Sequence, residues 1–175
     1  MPDSTRSMAS AKIGEFVAPA QLGPDRMPVR HPFSPDRSRP FDPFLYLAHF
    51  GPRALHETNW GFGPHPHRGF ETITYMLSGG IEHRDSTGEH AVLGPGDVQW
   101  MTAGGGIVHS EEPPEALRRD GGVVHGFQIW LNLPTPLKMI EAGFSVLRAA
   151  DMPRAAPARG VFVRVIGGNC GDATS

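Results

Sequence analysis

The sequence predicts a small all-β barrel with extensions at both ends. Glycine and proline, 22 and 18 in number, make up more than a fifth of the 175 residues, a composition typical of many turns and few long helices. Short apolar and β-branched runs recur at regular intervals with turn residues between them. A helical apolar period occurs in only one short window, which argues against an α-helical or mixed fold.

The first strand signal is DPFLYLAHF, residues 42–50, which ends at the turn signal Gly51-Pro52. HPHRGFETITYML, residues 65–77, is interpreted as one further strand. Strand signals then follow one another closely, each bounded by glycine, proline or aspartate; these predicted strands cover residues 81–84, 90–93, 98–101, 107–111, 123–133 and 161–166.

The remaining segments complete the predicted organisation. The one predicted helix is PLKMIEA, residues 136–142. Residues 1–11 are polar and small and are predicted to be a disordered tail. Residues 169–175 are expected to be a frayed C-terminal tail, which leaves one domain of ordinary size over residues 12–168.

The composition excludes several classes of partner and location. A net charge of −2 and the scattered arginines do not form the basic surface that nucleic-acid binding needs. Cys170 is the only cysteine, so the sequence does not require an oxidising compartment. The chain shows neither a signal-peptide h-region nor a run long enough to span a membrane. We therefore expect a cytoplasmic protein that binds neither nucleic acid nor membrane.

Histidines spaced two apart point to a site on the strands. Side chains alternate along a strand, so His65, His67 and Glu71 are predicted to share one face. Taken alone, this pattern indicates either a metal site that awaits further ligands or a polar patch on a solvated strand. A second pair, His109 and Glu111, again lies two residues apart, and about three or four short strands separate it from the first.

In a closed barrel the second pair can return beside the first, and three imidazoles with one carboxylate suit a first-row transition metal with open positions. A structural zinc site would more commonly use cysteines. The other histidines are interpreted as surface residues or satisfied core residues: His31, His56, His83 and His90. His49 and His125 lie in apolar strands, and the sequence indicates no partner for either.

These residues fall in longer patterns that resemble a known superfamily. Gly61-x3-His65-x-His67-x3-Glu71-x7-Gly79 resembles the first cupin motif, and Gly96-x5-Thr102-x-Gly104-x4-His109 resembles the second. Thr102 replaces the proline of most cupins, and Ser110-Glu111 follows His109. With the segments HPHRGFETITYMLSGG, GPGDVQWMTAGGGIVHSE, HGFQIWLNL, DPFLYLAHFGP and VRVIGG, the chain is similar to the pirin family of cupins over residues 12–168.

The resemblance implies a cupin-type β-barrel, that is, a jelly-roll-like double-stranded β-helix, equivalent to the N-terminal cupin domain of a pirin. It implies a mononuclear iron site held by His65, His67, His109 and Glu111. Fe(II) is the expected ion, with Mn, Ni, Cu or Co as alternatives. Glu71 is expected to support the ligands without binding the metal, and Ala48 replaces an acidic residue expected before His49.

Two functions follow from the resemblance. The first is an iron-dependent dioxygenase of quercetin 2,3-dioxygenase type, in which Glu111 accepts the hydroxyl proton of a small aromatic, flavonol-like substrate. The second is a non-catalytic iron-binding regulatory or protein-interaction module. The chain stops about where pirins begin a second cupin domain, so we expect it to form a homodimer or to pair with a separate partner domain.

Overall fold

The computed structural model describes residues 21–22, 28–33, 41–55 and 60–175. Fifteen strands and one short α-helix make up most of this part of the chain. The strands are β1 Gln21–Leu22, β2 Pro28–Phe33, β3 Phe44–Leu55, β4 Phe62–His67, β5 Phe70–Ser78, β6 Ile81–Asp85, β7 His90–Leu93, β8 Val98–Thr102, β9 Ile107–Glu112, β10 Gly122–Asn132, β11 Gly143–Leu147, β12 Arg154–Ala158, β13 Val161–Arg164, β14 Asn169–Cys170 and β15 Ala173–Thr174. The helix α1 covers Glu115–Asp120.

Two antiparallel sheets form the body of the fold. The large sheet has seven strands in the order β1-β2-β3-β10-β5-β8-β11, and the small sheet has four in the order β4-β9-β6-β7. β12 with β13 and β14 with β15 form two further ribbons. The all-β prediction is confirmed, and the predicted order of strands from residue 81 to residue 133 is reproduced within a few residues.

The interior between the two sheets contains apolar clusters and a group of buried polar residues that includes His109 and Glu111. Its largest cluster of buried residues comprises Val29, Ala48, Phe50, Leu55, Trp60, Met76, Ile81, Leu93 and Val124. A second cluster, Ile73, Val98 and Met152, lies on the other face of the large sheet, where Ile166 of the C-terminal segment packs against it. The large sheet is thus covered on both faces over part of its area.

The strand β3 extends further than predicted. Gly51-Pro52 reads as a turn, but β3 continues to Leu55 and pairs with β10 beyond a bulge at residues 124–126. Gly51 has φ 76°, and a Cβ there would lie 2.3 Å from the Val124 carbonyl oxygen. Glycine is therefore required for the two backbones to approach, and the apparent turn is an irregularity inside a strand.

The helix prediction was wrong at residues 136–142. That segment contains only a 3-10 turn, Thr135–Leu137, and the Ile140 carbonyl accepts a hydrogen bond from Gly105 N–H at 2.8 Å. The α-helix lies instead at residues 115–120, after Pro114, where signals were overlooked: Glu115 in the first turn, two arginines in the last, and glycine directly after.

Two predictions concern the ends of the chain. The predicted tail of residues 169–175 contains the β14–β15 hairpin. The predicted tail of residues 1–11 lies outside the described residues. Within the described part of the chain, no helix has the length and apolar character needed to cross a membrane.

Candidate metal centre

Three imidazoles converge on the inner face of the small sheet. β4 carries His65 and His67, and β9 places His109 directly opposite His65 in the antiparallel register. The ring centroids are 4.4 Å apart for His65 and His109, and 4.9 Å apart for each of the other two pairs. Their ligand atoms all lie within 4.8 Å of one another. The predicted return of the second histidine pattern beside the first is therefore observed.

The hydrogen bonds of these rings leave one kind of nitrogen free. His65 Nδ1 donates to the Gly63 carbonyl oxygen at 2.8 Å, so its Nε2 carries the lone pair. His67 Nε2 and His109 Nε2 are buried and have no hydrogen-bond partner within the part of the chain that the structure describes. Buried polar nitrogens without a partner are costly. A metal ion shared by the three Nε2 atoms fits this donor set.

The charge state of the cluster also suits a cation. Burial, followed by the neighbouring histidines, lowers the pKa of His109 to about 3. Burial and the nearby His65 lower the pKa of His67 to about 4. Both rings are therefore neutral at pH 7, and their lone pairs are available for coordination without prior loss of a proton.

Glu111 lies on the same face of β9, two residues after His109, and is only 1% exposed. Thr74 Oγ1 and Gln99 Nε2 donate to its Oε1 at 3.1 and 2.9 Å, and Gln128 Nε2 donates to its Oε2 at 3.0 Å. Burial raises the pKa of the Glu111 carboxyl, and the hydrogen bonds from Thr74 and Gln99 and the nearby histidines offset only part of the increase. Glu111 is not part of the three-histidine cluster, so its role as a ligand stays a prediction.

The three donors to Glu111 were not identified from the sequence. Gln128, Thr74 and Gln99 lie side by side across β10, β5 and β8 of the large sheet. The available signal was that each is a polar residue at an inward-facing position of an otherwise apolar strand. Gln128 Oε1 in turn accepts a hydrogen bond from Trp130 Nε1 at 3.2 Å, which connects the carboxylate to an aromatic wall.

His83 is a hydrogen-bonded core histidine, one of the two alternatives that the sequence left open. It is fully buried, its Nε2 lies 2.9 Å from Asp85 Oδ2, and its Nδ1 lies 3.4 Å from His109 Nδ1. Phe144 stacks on the ring with 4.1 Å between centroids and 11° between planes. Position 83 follows the buried Ile81 by two residues, and this alternation was the missed signal.

Glu71 does not share a face with the histidines. The segment 65–77 is two strands, β4 and β5, in different sheets, so the alternation assumed across it is broken at residues 68–69. Thr102 Oγ1 donates to Glu71 Oε1 at 2.7 Å, on the face of β5 opposite Thr74. The expectation that Glu71 supports the ligands is therefore not met.

His49 and His125 are partners of each other. Their Nε2 atoms are 2.7 Å apart, and the His49 ring stacks on Phe127 with a centroid distance of 4.7 Å. They were missed because the pairing is diagonal: His49 lies opposite Phe127, and His125 lies at the bulge of β10.

A cavity of about 320 Å³ opens beside the histidine cluster. Its walls are mainly aromatic, and its few polar groups include the site residues; it is lined by Tyr46, Phe50, Trp60, Phe62, Trp130, His65, His67, Glu111 and Gln128, among others. A second, more open cavity of about 570 Å³ also has His67 and Trp130 in its lining. An apolar cavity with a few convergent polar groups is the usual form of a small-molecule site.

The pirin family model matches residues 22–131 of the chain. The pirin-like protein of Caulobacter vibrioides is 49% identical over 128 residues, which cover 73% of this chain and 45% of that protein. The chain spans about half the length of the curated relatives it matches.

Two solved structures extend the comparison. A quercetin 2,3-dioxygenase from Acinetobacter baumannii superposes with a TM-score of 0.77 and 35% identity over 91% of this chain and 58% of that one, which confirms the cupin-type fold. A bacterial pirin from Escherichia coli in complex with nickel(II) superposes with a TM-score of 0.57 and 29% identity over 70% and 51% of the two chains.

Proposed function

The chain belongs to the pirin family, and from that premise we propose that it is a metal-dependent oxygenase of quercetin 2,3-dioxygenase type that acts on flavonol-like aromatic substrates. The observation that carries this proposal is the aromatic-walled cavity of about 320 Å³ that includes His65, His67 and Glu111 in its lining. A cavity of this kind suits a flat aromatic ring system.

The residues that would hold the metal are His65, His67 and His109 through Nε2, with Glu111 as the fourth ligand. Imidazole nitrogens with a carboxylate oxygen suit iron, and also Mn, Ni, Cu or Co. We place Fe(II) first, and the nickel-bound pirin of Escherichia coli supports the expectation that such a site accepts more than one ion. When bound, the metal would polarise the oxygens of the substrate and provide the centre at which O2 is activated.

Glu111 is the proposed proton acceptor. Its carboxylate would take the proton of the flavonol hydroxyl, and because burial raises its pKa, it is a stronger base than an exposed glutamate. Thr74, Gln99 and Gln128 hold the carboxylate in one orientation through three hydrogen bonds.

The cavity walls would orient the substrate and exclude water. Tyr46 and Trp130 are in contact, with 4.7 Å between ring centroids, and Trp130 also lies 5.4 Å from the His67 ring. An aromatic substrate stacked on this surface would be held beside the histidine cluster. Exclusion of water from the cavity strengthens the electrostatic interactions inside it.

Oxygen uptake with quercetin tests the proposal. The protein would be loaded separately with Fe(II), Mn, Ni and Cu and compared with Glu111→Gln, which keeps the side-chain size but removes the base. Glu112→Gln is the matched control, because Glu112 lies next in β9 but is exposed, and its ion pair with Arg118 is on the surface. We expect uptake in the native and Glu112→Gln proteins and loss in Glu111→Gln.

Absence of oxygen uptake would favour the second function that the resemblance implies, a non-catalytic module. No uptake with any of the four metals, in a protein shown to contain metal, would contradict the oxygenase and leave the non-catalytic iron-binding regulatory module. Equal uptake in Glu111→Gln would contradict the role of Glu111 and leave the oxygenase in place.

A further inference from the structure

A buried chain of polar contacts lies behind His109, on the side away from the cavity. β6 is paired with β9 so that Asp85 lies opposite His109 and His83 lies opposite Glu111. Asp85 Oδ2 is 2.9 Å from His83 Nε2, and His83 Nδ1 is 3.4 Å from His109 Nδ1. The side chains of His83 and Asp85 are both fully buried. This contact chain ends at His109 Nε2, one of the three free nitrogens.

The hydrogen positions along this series of contacts follow from Asp85, whose carboxylate is held in place by other hydrogen bonds. Asp85 Oδ1 accepts three hydrogen bonds, from the Thr87 backbone N–H at 2.8 Å, the Thr87 hydroxyl at 2.6 Å and the Glu89 backbone N–H at 3.2 Å. An ionised carboxylate only accepts, so His83 Nε2 must carry the hydrogen that is donated to Oδ2.

The two Nδ1 atoms face each other, and only one of them can carry the hydrogen that lies between the rings. Where His83 carries its hydrogen on Nε2 alone, its Nδ1 has a lone pair, so His109 Nδ1 is the donor. His109 Nε2 is then left with its lone pair, directed to the same place as His65 Nε2 and His67 Nε2. Phe144 stacks on His83 and holds the plane of that ring.

We propose that Asp85 and His83 form a positioning dyad, which selects the tautomer and orientation of His109 and thereby makes Nε2 its metal-binding atom. This inference rests on the metal centre of the proposed function. The dyad does not touch the substrate or the metal and acts only through His109. His65 obtains the same result from a backbone carbonyl, at Gly63, whereas the support of His109 is made of side chains and can be altered by substitution.

The substitution Asp85→Asn should reverse the direction of both hydrogen bonds, the one between residue 85 and His83 and the one between His83 and His109. The amide oxygen of the asparagine would occupy the Oδ1 position, because three donors point there. Its amide nitrogen would then donate to His83 Nε2, which forces the hydrogen of His83 onto Nδ1. His83 would donate to His109 Nδ1, and the hydrogen of His109 would move to Nε2, where it competes with the metal. A reversed histidine tautomer is known to inactivate a site whose geometry is otherwise unchanged.

The first measurement uses the metal-free protein. Nitrogen-15 NMR of the histidine rings distinguishes a nitrogen that carries hydrogen from one with a lone pair. We expect His109 to carry hydrogen on Nδ1 in the native protein and on Nε2 in Asp85→Asn. This result does not depend on oxygenase activity, so failure of the dyad and failure of the proposed function are separate outcomes.

The second measurement is affinity for Ni2+, by competition with a chelator. Loss of an outer hydrogen-bond partner typically weakens metal binding by about 10–100-fold, and we expect this loss in Asp85→Asn. His83→Phe, which keeps the stacking on Phe144, should weaken binding to a similar extent and serves if Asp85→Asn fails to fold. Glu82→Gln is the matched control, since it alters a partly exposed carboxylate–histidine pair with His90 on the other face of β6, and it should bind Ni2+ as the native protein does.

The dyad would be overturned by either of two results in folded variants. One is a His109 ring that keeps its hydrogen on Nδ1 in Asp85→Asn. The other is an affinity for Ni2+ that stays within about twofold of native in both Asp85→Asn and His83→Phe, against the loss expected for an outer-shell partner.

Discussion

Acidification should destabilise the metal-free protein between pH 6.5 and pH 5. His67 and His109 have folded-state pKa values of about 4 and about 3, against an ordinary value of 6.5. In this window the unfolded chain binds protons at both residues and the folded protein does not. The free energy of unfolding therefore falls as the pH falls, and it does not change with these groups above pH 6.5.

The size of the effect follows from the pKa values. Each histidine lowers the free energy of unfolding by about 1.4 kcal/mol per pH unit below 6.5, which is about 2 kcal/mol at pH 5. The two together lower it by at most about 4 kcal/mol, because His67 is partly exposed and solvent screens its share. This is a large part of the roughly 5–15 kcal/mol by which domains are stable.

Glu111 acts in the opposite direction. Burial raises its pKa, so between its ordinary and its raised pKa the folded protein binds a proton there that the unfolded chain does not, and the free energy of unfolding rises as the pH falls through that range. Glu111→Gln removes this contribution. Asp85 and Asp97 do not affect this comparison. Burial alone would raise their pKa, but their hydrogen bonds outweigh it and hold the pKa below the ordinary value of 3.8. Their contribution to the free energy of unfolding is therefore lost only below pH 5.

The assay is urea unfolding at pH 7.5 and pH 5 in the presence of a chelator. Glu111→Gln should lose up to about 4 kcal/mol between the two values, and the native protein should lose less. Adding His109→Gln to that variant should remove about half of the loss. Equal stability of Glu111→Gln at pH 7.5 and pH 5 would refute the reasoning, because it would show that the fold does not keep these histidines neutral.

Two further changes test the site and its frame. His67→Ala should abolish metal binding, whereas His90→Ala, an exposed control, should retain it; elemental analysis that finds full metal content in purified His67→Ala would contradict the ligand assignment. Asp97→Asn should lower the free energy of unfolding by about 1–3 kcal/mol, because both Asp97 oxygens accept hydrogen bonds from N–H groups and an amide nitrogen must oppose one of them. Asp120→Asn, at an exposed ion pair, should leave the free energy of unfolding unchanged in urea unfolding.

Much of the fold and the shared face of His65 and His67 could be predicted, because both depend on local alternation. His65 and His67 lie two residues apart in one strand, whereas the place of His109 beside them depends on the pairing of β4 with β9, which the sequence indicated only through the expected closure of the barrel. The fold followed from turn residues between short apolar runs. Where local signals conflict with tertiary contacts, prediction failed: Gly51-Pro52 has the composition of a turn but lies inside β3, because β10 passes within 2.3 Å of where a side chain would be.

The supporting residues could not be predicted from one sequence. Thr74, Gln99 and Gln128 lie on three strands of the large sheet, and their common partner, Glu111, lies on the small sheet. No spacing in the sequence encodes which strand faces which. The roles of His83 and Asp85 depend similarly on the pairing of β6 with β9, since each alone resembles a residue of a surface hairpin.

The pairing of β4 with β9 has a consequence for how this protein is assembled. All three imidazoles come from these two adjacent strands, so a slip of β4 by one residue would turn His65 and His67 outward and dismantle the cluster. A metal ion held by the three histidines would therefore favour the observed register of β4 against β9, because the slipped register does not bring the three ligands together. At a concentration about 100 times its dissociation constant it would favour that register by about 2.7 kcal/mol, and the amide hydrogens shared by β4 and β9 should then exchange more slowly than those of β6 with β7.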